Sequence, residues 1–319
     1  MNYYLSLDAG GSKCAALIFD DELRLCAAAQ TGGVNTTQNK PENSRRNMEE
    51  CIDSLIAQCG AQRIARAYLS LVGPLAVLRE VISARLNVDE LIVMSEPVAG
   101  LWAGLMQPEG IYALAGTGSD VFWITSEAPD GRRMTVGAWG PILGDQGSGT
   151  WIGQTALRAA IAAREGWGED TMLFPLVKER WGFERDFDLV SVVHGAPAPF
   201  AKVAQATRLV GEACEQGDAV AKRIVHDAGV LMARQTICLI QRDGAHGDIV
   251  AGGGAWKTHP DMFKAFKQTL LEFDASLTVH KPYFDPVMAG VVRVATERMS
   301  RPEAVEMLSG RMPQYAVKW

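Results

Sequence analysis

One short pattern occurs twice in this chain and limits its fold more than any other feature. Leu7-Asp8-Ala9-Gly10-Gly11-Ser12 has its counterpart in Leu114-Ala115-Gly116-Thr117-Gly118-Ser119. Each pattern ends an apolar, strand-like run, at residues 3–7 and 111–115, and each leads into a second run, at 15–19 and 121–125. A strand, a turn of small residues and another strand, met twice, predict two related halves that each open with a hairpin. Around the first hairpin the pattern predicts a third strand at 23–29, a helix opened by Pro41 and ending near Cys59, a strand at 67–72, a helix at 75–86, a strand at 91–94 and a helix at 98–106. After the second hairpin, helices are predicted at 148–165, 199–216 and 218–241, then a strand at 248–251 that runs into Gly252-Gly253-Gly254, and final helices at 286–299 and 301–311. Strands alternating with helices imply largely parallel α/β sheets.

Composition removes several classes of function. The 319 residues suffice for two domains, and 48% hydrophobic with 21% charged residues is a globular balance, far from that of a disordered adaptor. A net charge of −6 lacks the basic field that draws proteins to nucleic acid or anionic lipid, so neither is expected as a partner. The six cysteines form no C-x-x-C and pair with none of the five scattered histidines in a metal-ligand spacing, so they are expected to be reduced and mostly buried. No apolar run reaches ~18 residues, and the start lacks a basic stretch followed by a long apolar one, which predicts a cytoplasmic protein without a membrane span. The apolar and small residues at 220–240 and after Pro286 suit a homodimer face and suit a core equally well.

Four glycine-rich elements carry the candidate chemistry. Asp8 to Lys13 offers bare backbone amides, a hydroxyl, a Lys charge and a carboxylate able to reach a phosphate-bound Mg²⁺; an ordinary hairpin turn has the same composition. Gly116, Thr117, Gly118 and Ser119 repeat the arrangement with two hydroxyls, and two such turns can hold a polyphosphate. Gly252, Gly253 and Gly254 would let a nucleobase or ribose lie close, or would simply lead the chain toward a helix at Pro260. Residues 137–149 hold five glycines around Asp145, Gln146 and Ser148, a polar-ligand platform at a helix start or a plain N-cap. Neither G-x-x-x-x-G-K-[ST] nor G-x-G-x-x-G is present, which excludes those two nucleotide motifs.

In their order and spacing these elements resemble the N-acetylglucosamine kinase / BadF-BadG-BcrA-BcrD-type ATPase family, within the actin-like ATPase and hexokinase superfamily. The most specific match is Gly137 to Gly153, similar to the family's G-x-W-G-x-x-x-G-D-E-G-S-x-x-W-I-G signature. The resemblance implies an α/β chain of two actin-like (ribonuclease H-like) lobes with an ATP cleft between them: residues 1–109, residues 110–299, and a last helix at 300–319 returning to the first lobe. It also implies phosphoryl transfer from ATP, with Mg²⁺, to an amino sugar of the N-acetylglucosamine or glucosamine type. By the same resemblance Gly10, Gly11, Ser12 and Lys13 form the first phosphate turn, with Asp8 as the carboxylate near Mg²⁺. Gly116, Thr117, Gly118 and Ser119 form the second, Gly252, Gly253 and Gly254 the adenosine turn, and Asn35, Thr117, Asp145 and Gln146 the sugar contacts.

Two positions depart from the family pattern. Where the family places a catalytic Asp, this chain has Ser95-Glu96-Pro97, and Gln146 stands where the family commonly has Glu. Glu96 has the chemistry of a base for the sugar hydroxyl, but its extra methylene displaces the carboxylate, and ~1 Å of misplacement can lower a rate on the order of 100-fold. Glu is also a natural first-turn residue for a helix starting at this point. The expectation is an active kinase with Glu96 as base; the rivals are a catalytically weakened nucleotide- or sugar-binding protein and a partner-coupled ATPase. Activator ATPases of radical dehydratases carry a cysteine-rich segment and repressor-type sugar kinases a Cys/His zinc cluster, and this chain has neither.

Overall fold

Tyr3–Ala9 (β1) is buried on both faces, which is why it reads as a continuous apolar run and not as an alternation. In the computed structural model, which describes residues 2–36, 39–127 and 131–319, β1 is the middle strand of the first of two five-stranded sheets. It pairs antiparallel with β2 (Lys13–Asp20), which pairs antiparallel with β3 (Leu25–Gly32). Helix α1 (Pro41–Cys59) then leads to β4 (Arg63–Leu71), and α2 (Leu75–Ser83) leads to β5 (Asn87–Met94). Both of these strands run parallel to β1, and α3 (Glu96–Leu105) follows. Leu5, Leu7 and Ala9 project from β1 into a core closed by Met48, Ile52 and Leu55 of α1 and Val81 of α2.

The second sheet repeats the scheme. β6 (Gly110–Ala115), β7 (Ser119–Ile124) and β8 (Arg133–Gly137) form an antiparallel meander. A helical stretch follows: α4 (Gly140–Leu143), α5 (Gly149–Glu165), α6 (Leu173–Trp181), α7 (Asp188–His194), α8 (Pro199–Ala204), α9 (Thr207–Glu215) and α10 (Ala219–Asp243). The chain then returns as β9 (Ile249–Gly252), parallel to β6, passes through α11 (Pro260–Phe273) and adds the two-residue β10 (Val279–His280). Ile111, Ala113, Ala115 and Val121 meet Ile152 and Ala156 of α5 and Met232 of α10 in this unit's core.

The chain divides into two units. Unit one runs to Glu109, takes in Ser126 and Glu127, and resumes from Lys281 to Lys318; unit two holds Gly110–Thr125, Gly131–His280 and Trp319. The returning segment contributes α12 (Ala289–Thr296) and α13 (Arg301–Arg311) to unit one. Ser6 on β1 fixes it there: its Oγ donates to the Val287 carbonyl at 2.6 Å and accepts from the Gly290 amide at 3.0 Å. Residue 290 is glycine because a Cβ would lie 2.8 Å from both Ser6 Oγ and Tyr68 Cβ. Glu297 then takes Arg66 of β4 in a two-pronged ion pair at 2.8 and 2.9 Å.

Several local expectations change. The single helix expected at 199–216 is two, α8 and α9, because its middle packs on the glycine face of α5: a Cβ on Gly153 would lie 2.1 Å from the Val203 carbonyl. Three cysteines are buried, two are half-buried and Cys238 is exposed, so "mostly buried" is too strong; all six are free thiols. The apolar residues of 220–240 and those after Pro286 that are buried, such as Val225, Met232, Val287 and Val291, serve as core within their own units. Among the described residues no helix is long and apolar enough to cross a membrane.

Candidate active site

In unit one, parallel pairing builds the site. Asp8 on β1 lies in register with Ser70 on β4, and Ser70 in register with Met94 on β5. Asp8 therefore ends one row across three neighbouring strands, and Glu96, two residues past Met94, stands where β5 gives way to α3. Carboxyl ends of parallel strands are where α/β sheets place their ligands. Glu96 is the first residue of α3, followed by Pro97, and Ser95 precedes it in extended backbone. Both roles foreseen for Glu96 are thus compatible with its place: it sits in a helix first turn and at the strand-end edge.

Turn one is closed by the Gly10 amide donating to the Lys13 carbonyl at 2.9 Å. The Asn35 loop is tied directly onto it. The Gly10 carbonyl accepts from the Val34 and Asn35 amides at 2.8 and 3.2 Å, and Asn39 Nδ2 donates to the Gly11 carbonyl at 3.0 Å. At Gly33 the two backbones nearly touch, since a Cβ there would lie 1.8 Å from the Gly11 oxygen. Burial raises the Asp8 carboxyl above its ordinary value; Lys13 and a hydrogen bond with Ser70 oppose this, and nearby Asp285 adds to it. Ser70 and Asp285 are functional candidates that carry no motif; only the strand register and the returning segment bring them to Asp8.

In unit two, turn two, Asp145 and the glycines of 252–254 are built together. The Gly116 amide donates to the Gly118 carbonyl at 2.8 Å, and the start of α5 is hung on the turn by Gly149 N to Gly116 O at 2.8 Å and Thr150 Oγ1 to Thr117 O at 2.7 Å. Asp145, 8% exposed, accepts from the Ser119 amide at 3.4 Å, and Ser119 Oγ donates to the Gln146 carbonyl at 2.9 Å. Burial raises the Asp145 carboxyl, against the pull of the Ser119 and Gly140 amides. The Gln146 side chain is exposed. Ser148 is the N-cap of α5, its Oγ accepting from Trp151 N at 3.1 Å.

Parallel pairing sets Leu114 beside Gly252, so the Gly252–Gly254 segment runs against turn two. Gly253 has φ +101°, and a Cβ on it would lie 2.4 Å from the Ala115 carbonyl oxygen. The segment also leads into a short 3₁₀ turn, Gly254–Lys257, ahead of Pro260, as the alternative reading held. Sequence reasoning missed Asp120, one residue beyond turn two. Its Oδ1 is buried without a hydrogen-bond partner, and burial, with Asp145 beside it, pushes its carboxyl up to about 6.

Two hairpin-headed sheets of identical strand order make up a fold that this chain shares with solved structures. A ROK family glucokinase from Streptomyces griseus, solved in complex with glucose and AMPPNP, shares this fold at 17% identity and TM-score 0.59, over 93% of this chain and 99% of that one. A structure described as a candidate N-acetylglucosamine kinase from Porphyromonas gingivalis matches at TM-score 0.70 and 17% identity over 93% and 99% of the two chains. In sequence, an N-acetylmuramic acid/N-acetylglucosamine kinase from Clostridium acetobutylicum is 28% identical over 235 residues, 72% of this chain and 76% of that protein. The profile of the BadF/BadG/BcrA/BcrD ATPase family matches residues 5–287, and the chain belongs to that family.

Proposed function

We propose that this protein is an ATP-dependent kinase that phosphorylates an amino sugar of the N-acetylglucosamine or glucosamine type, with Glu96 as the base. The observation that carries the reading is the register row Asp8, Ser70, Met94, which gathers two carboxylates, turn one and the Asn35 loop at one edge of the unit-one sheet. The similarity to a kinase of N-acetylated amino sugars supports the choice of acceptor.

In this reading the Gly10–Lys13 and Gly116–Ser119 turns bind the phosphates of ATP through backbone amides and Lys13, and Gly252–Gly254 leaves room for the adenosine. Asn35, Thr117, Asp145 and Gln146 are the proposed contacts to the sugar. Glu96 accepts the proton of the attacking hydroxyl as the new P–O bond forms and the β–γ bridging oxygen departs with ADP. Mg²⁺ fits the donors near Asp8, because this ion is held through one or two carboxylates together with substrate phosphates, and Asp8 with Asp285 supplies such a pair. When bound it neutralises charge on the transferred phosphoryl group. Asp8 holds a carboxylate in place for it, and Lys13 offsets the burial of that carboxylate.

The test is ADP release over a panel of amino sugars with wild type, Glu96→Gln and Glu96→Asp. Wild type should turn over only with sugar present, and Glu96→Gln should lose about 10²–10⁴-fold in kcat with ATP affinity kept. Wild type that binds ATP but shows no sugar-stimulated turnover would refute the kinase. Turnover gained only by Glu96→Asp would mark the natural protein as a binder.

A further inference from the structure

Four of the six cysteines belong to one seam of unit one, where α1 packs on the first sheet. Cys51 and Cys59 are at i and i+8 on α1 and so share a face, while Cys14 is the second residue of β2 and Cys26 the second of β3. One pair is in contact. The Cys14 and Cys51 thiols hydrogen-bond each other, and both residues are 0% exposed. Cys51 Sγ also lies 3.8 Å from the Cys14 carbonyl and 3.9 Å from the Ala29 carbonyl, which seats it between β2 and β3. Cys26 and Cys59, both half-buried, turn instead to carbonyls of their own segments, those of Arg24 at 3.5 Å and Leu55 at 3.3 Å. The Cys14–Cys51 contact stands directly behind turn one. Lys13 precedes Cys14, and Thr31 is the register partner of Cys14 on β3. Asn47, one turn before Cys51 on α1, donates from Nδ2 to the Gly33 carbonyl at 2.8 Å, and its own carbonyl accepts from Thr31 Oγ1 at 2.7 Å.

We propose that Cys14 and Cys51 are a peroxide-sensitive modification site, closing to a reversible disulfide that weakens the hold of turn one on the phosphates of ATP; this consequence, though not the disulfide, rests on the function proposed above. The thiolate is the form that attacks, and Cys51 supplies it. The Cys14 thiol, helped by Thr31, hydrogen-bonds to Cys51 and holds it below its ordinary value against burial, whereas the same contact and then burial push Cys14 up. The Cys51 sulfur takes one oxygen of hydrogen peroxide as a sulfenic acid while the O–O bond breaks and water leaves. The Cys14 sulfur then displaces that oxygen as a second water, and the S–S bond forms. Two thiols and one peroxide thus give one disulfide and two waters, each sulfur giving up one electron to the peroxide oxygens. The centre of the seam is closed to solvent and its end at Cys59 is half-open, so a small uncharged oxidant reaches the pair in local openings of α1. The sulfurs of a disulfide stand about 2.05 Å apart, far inside a hydrogen-bonded contact, so α1 and β2 must close on each other. A close-packed core passes that movement on, along β2 to Lys13 and through Asn47 to Gly33, whose backbone nearly touches Gly11.

The experiment treats the full chain with hydrogen peroxide, stops the reaction with catalase and alkylates the remaining thiols. It compares wild type, Cys14→Ala, Cys51→Ala and the double variant Cys26→Ala/Cys59→Ala, with Cys14→Ser and Cys51→Ser in reserve for an Ala variant that melts well below wild type. Peptide mapping, ATP Kd by equilibrium binding and thermal melting are read before treatment, after it, and again after dithiothreitol. Wild type and the double variant should lose the mass of two hydrogens in a cross-linked Cys14–Cys51 peptide. Their ATP Kd should rise about tenfold and return with dithiothreitol. Cys14→Ala and Cys51→Ala should keep the Kd of untreated protein through the same treatment. A wild type without the Cys14–Cys51 peptide, a cross-link that leaves the ATP Kd within twofold, or an equal rise in Cys51→Ala would overturn the inference while leaving the kinase standing. Reduced wild type that binds no ATP would overturn the proposed function and the ATP consequence with it, and the peptide map would still decide the disulfide.

Discussion

Unit one and unit two share one sheet plan and place their carboxylates differently on it. Each sheet is an antiparallel meander of three strands extended by two parallel ones, β3-β2-β1-β4-β5 in the first and β8-β7-β6-β9-β10 in the second. Between its third and fourth strands unit one needs only α1, whereas unit two inserts α4 to α10. The fifth strand has eight residues in unit one and two in unit two. The carboxylates are placed differently too. Unit one sets Asp8 and Glu96 at the ends of parallel strands, while β6 ends in Ala115 and unit two draws its acidic groups from β7, as Asp120, and from the inserted segment, as Asp145. The repeated element is thus the glycine turn, and in the proposed function the acid–base chemistry belongs to one copy only.

The sharpest way to break this contrast is to remove charge from unit one without changing shape. Asp8→Asn should lower kcat by about 10³-fold, roughly 4 kcal/mol of transition-state stabilisation, and raise the Mg²⁺ concentration needed for half-maximal rate. Ser119→Ala in unit two removes only a tether to the Gln146 carbonyl and should lose less than about tenfold. Steady-state kinetics across a Mg²⁺ titration reads both, and equal losses would erase the division of labour.

What was legible in the sequence follows the same divide. Strands β1, β2 and β6 and helix α1 could be read because their signals are local: buried apolar runs, glycine turns, and Pro41 at the first position of its helix. β8 could not, because Arg133 and Thr135 alternate with half-buried Met134 and Val136 in five residues at a sheet edge, and Arg132-Arg133 reads as solvated surface. β10 is two residues long and exists only through its pairing with β9. At the site, each glycine turn was visible in the sequence as a motif, whereas Ser70, Asp120 and Asp285 are single residues whose meaning comes from strand pairing or from a chain segment that returns from far away.

A second contrast lies between turn one and the Asn35 loop tied onto it, between a glycine needed by the fold and one that leaves space. Gly33→Ala drives a Cβ to 1.8 Å from the Gly11 oxygen and should destabilise unit one by about 3 kcal/mol, a melting temperature lower by roughly 5–10 °C. Gly10→Ala meets nothing within 4 Å and should melt like wild type. If Gly10 borders the bound phosphates, its variant should raise the ATP KM instead. Melting curves and ATP kinetics on the two variants separate a glycine kept for packing from one kept for a ligand.

The smallest effect is a stabilisation, and it comes from unit two. Burial, followed by the charge of Asp145, holds the Asp120 carboxyl up at about 6, against the opposing pull of Arg133 and the Ala138 amide. The unfolded chain titrates this group near 3.8, so the folded protein binds the proton more tightly and stability falls as pH rises between those two values. Above pH 6 the whole penalty stands, on the order of 2 kcal/mol for a group that is only partly screened by solvent. Asp120→Asn keeps the side chain's size and removes the charge, so it should melt higher than wild type at pH 7.5 and together with it at pH 4. Asp8 in unit one is also raised by burial, but there Lys13 and Ser70 oppose the rise, and Asn would leave Lys13 without its counter-charge. Asp8→Asn should therefore gain less stability at pH 7.5 than Asp120→Asn. Melting both variants at pH 4, 5, 6 and 7.5 decides it, since a gain for Asp120→Asn that stays constant with pH would mean that packing, and not the buried charge, separates the two carboxylates.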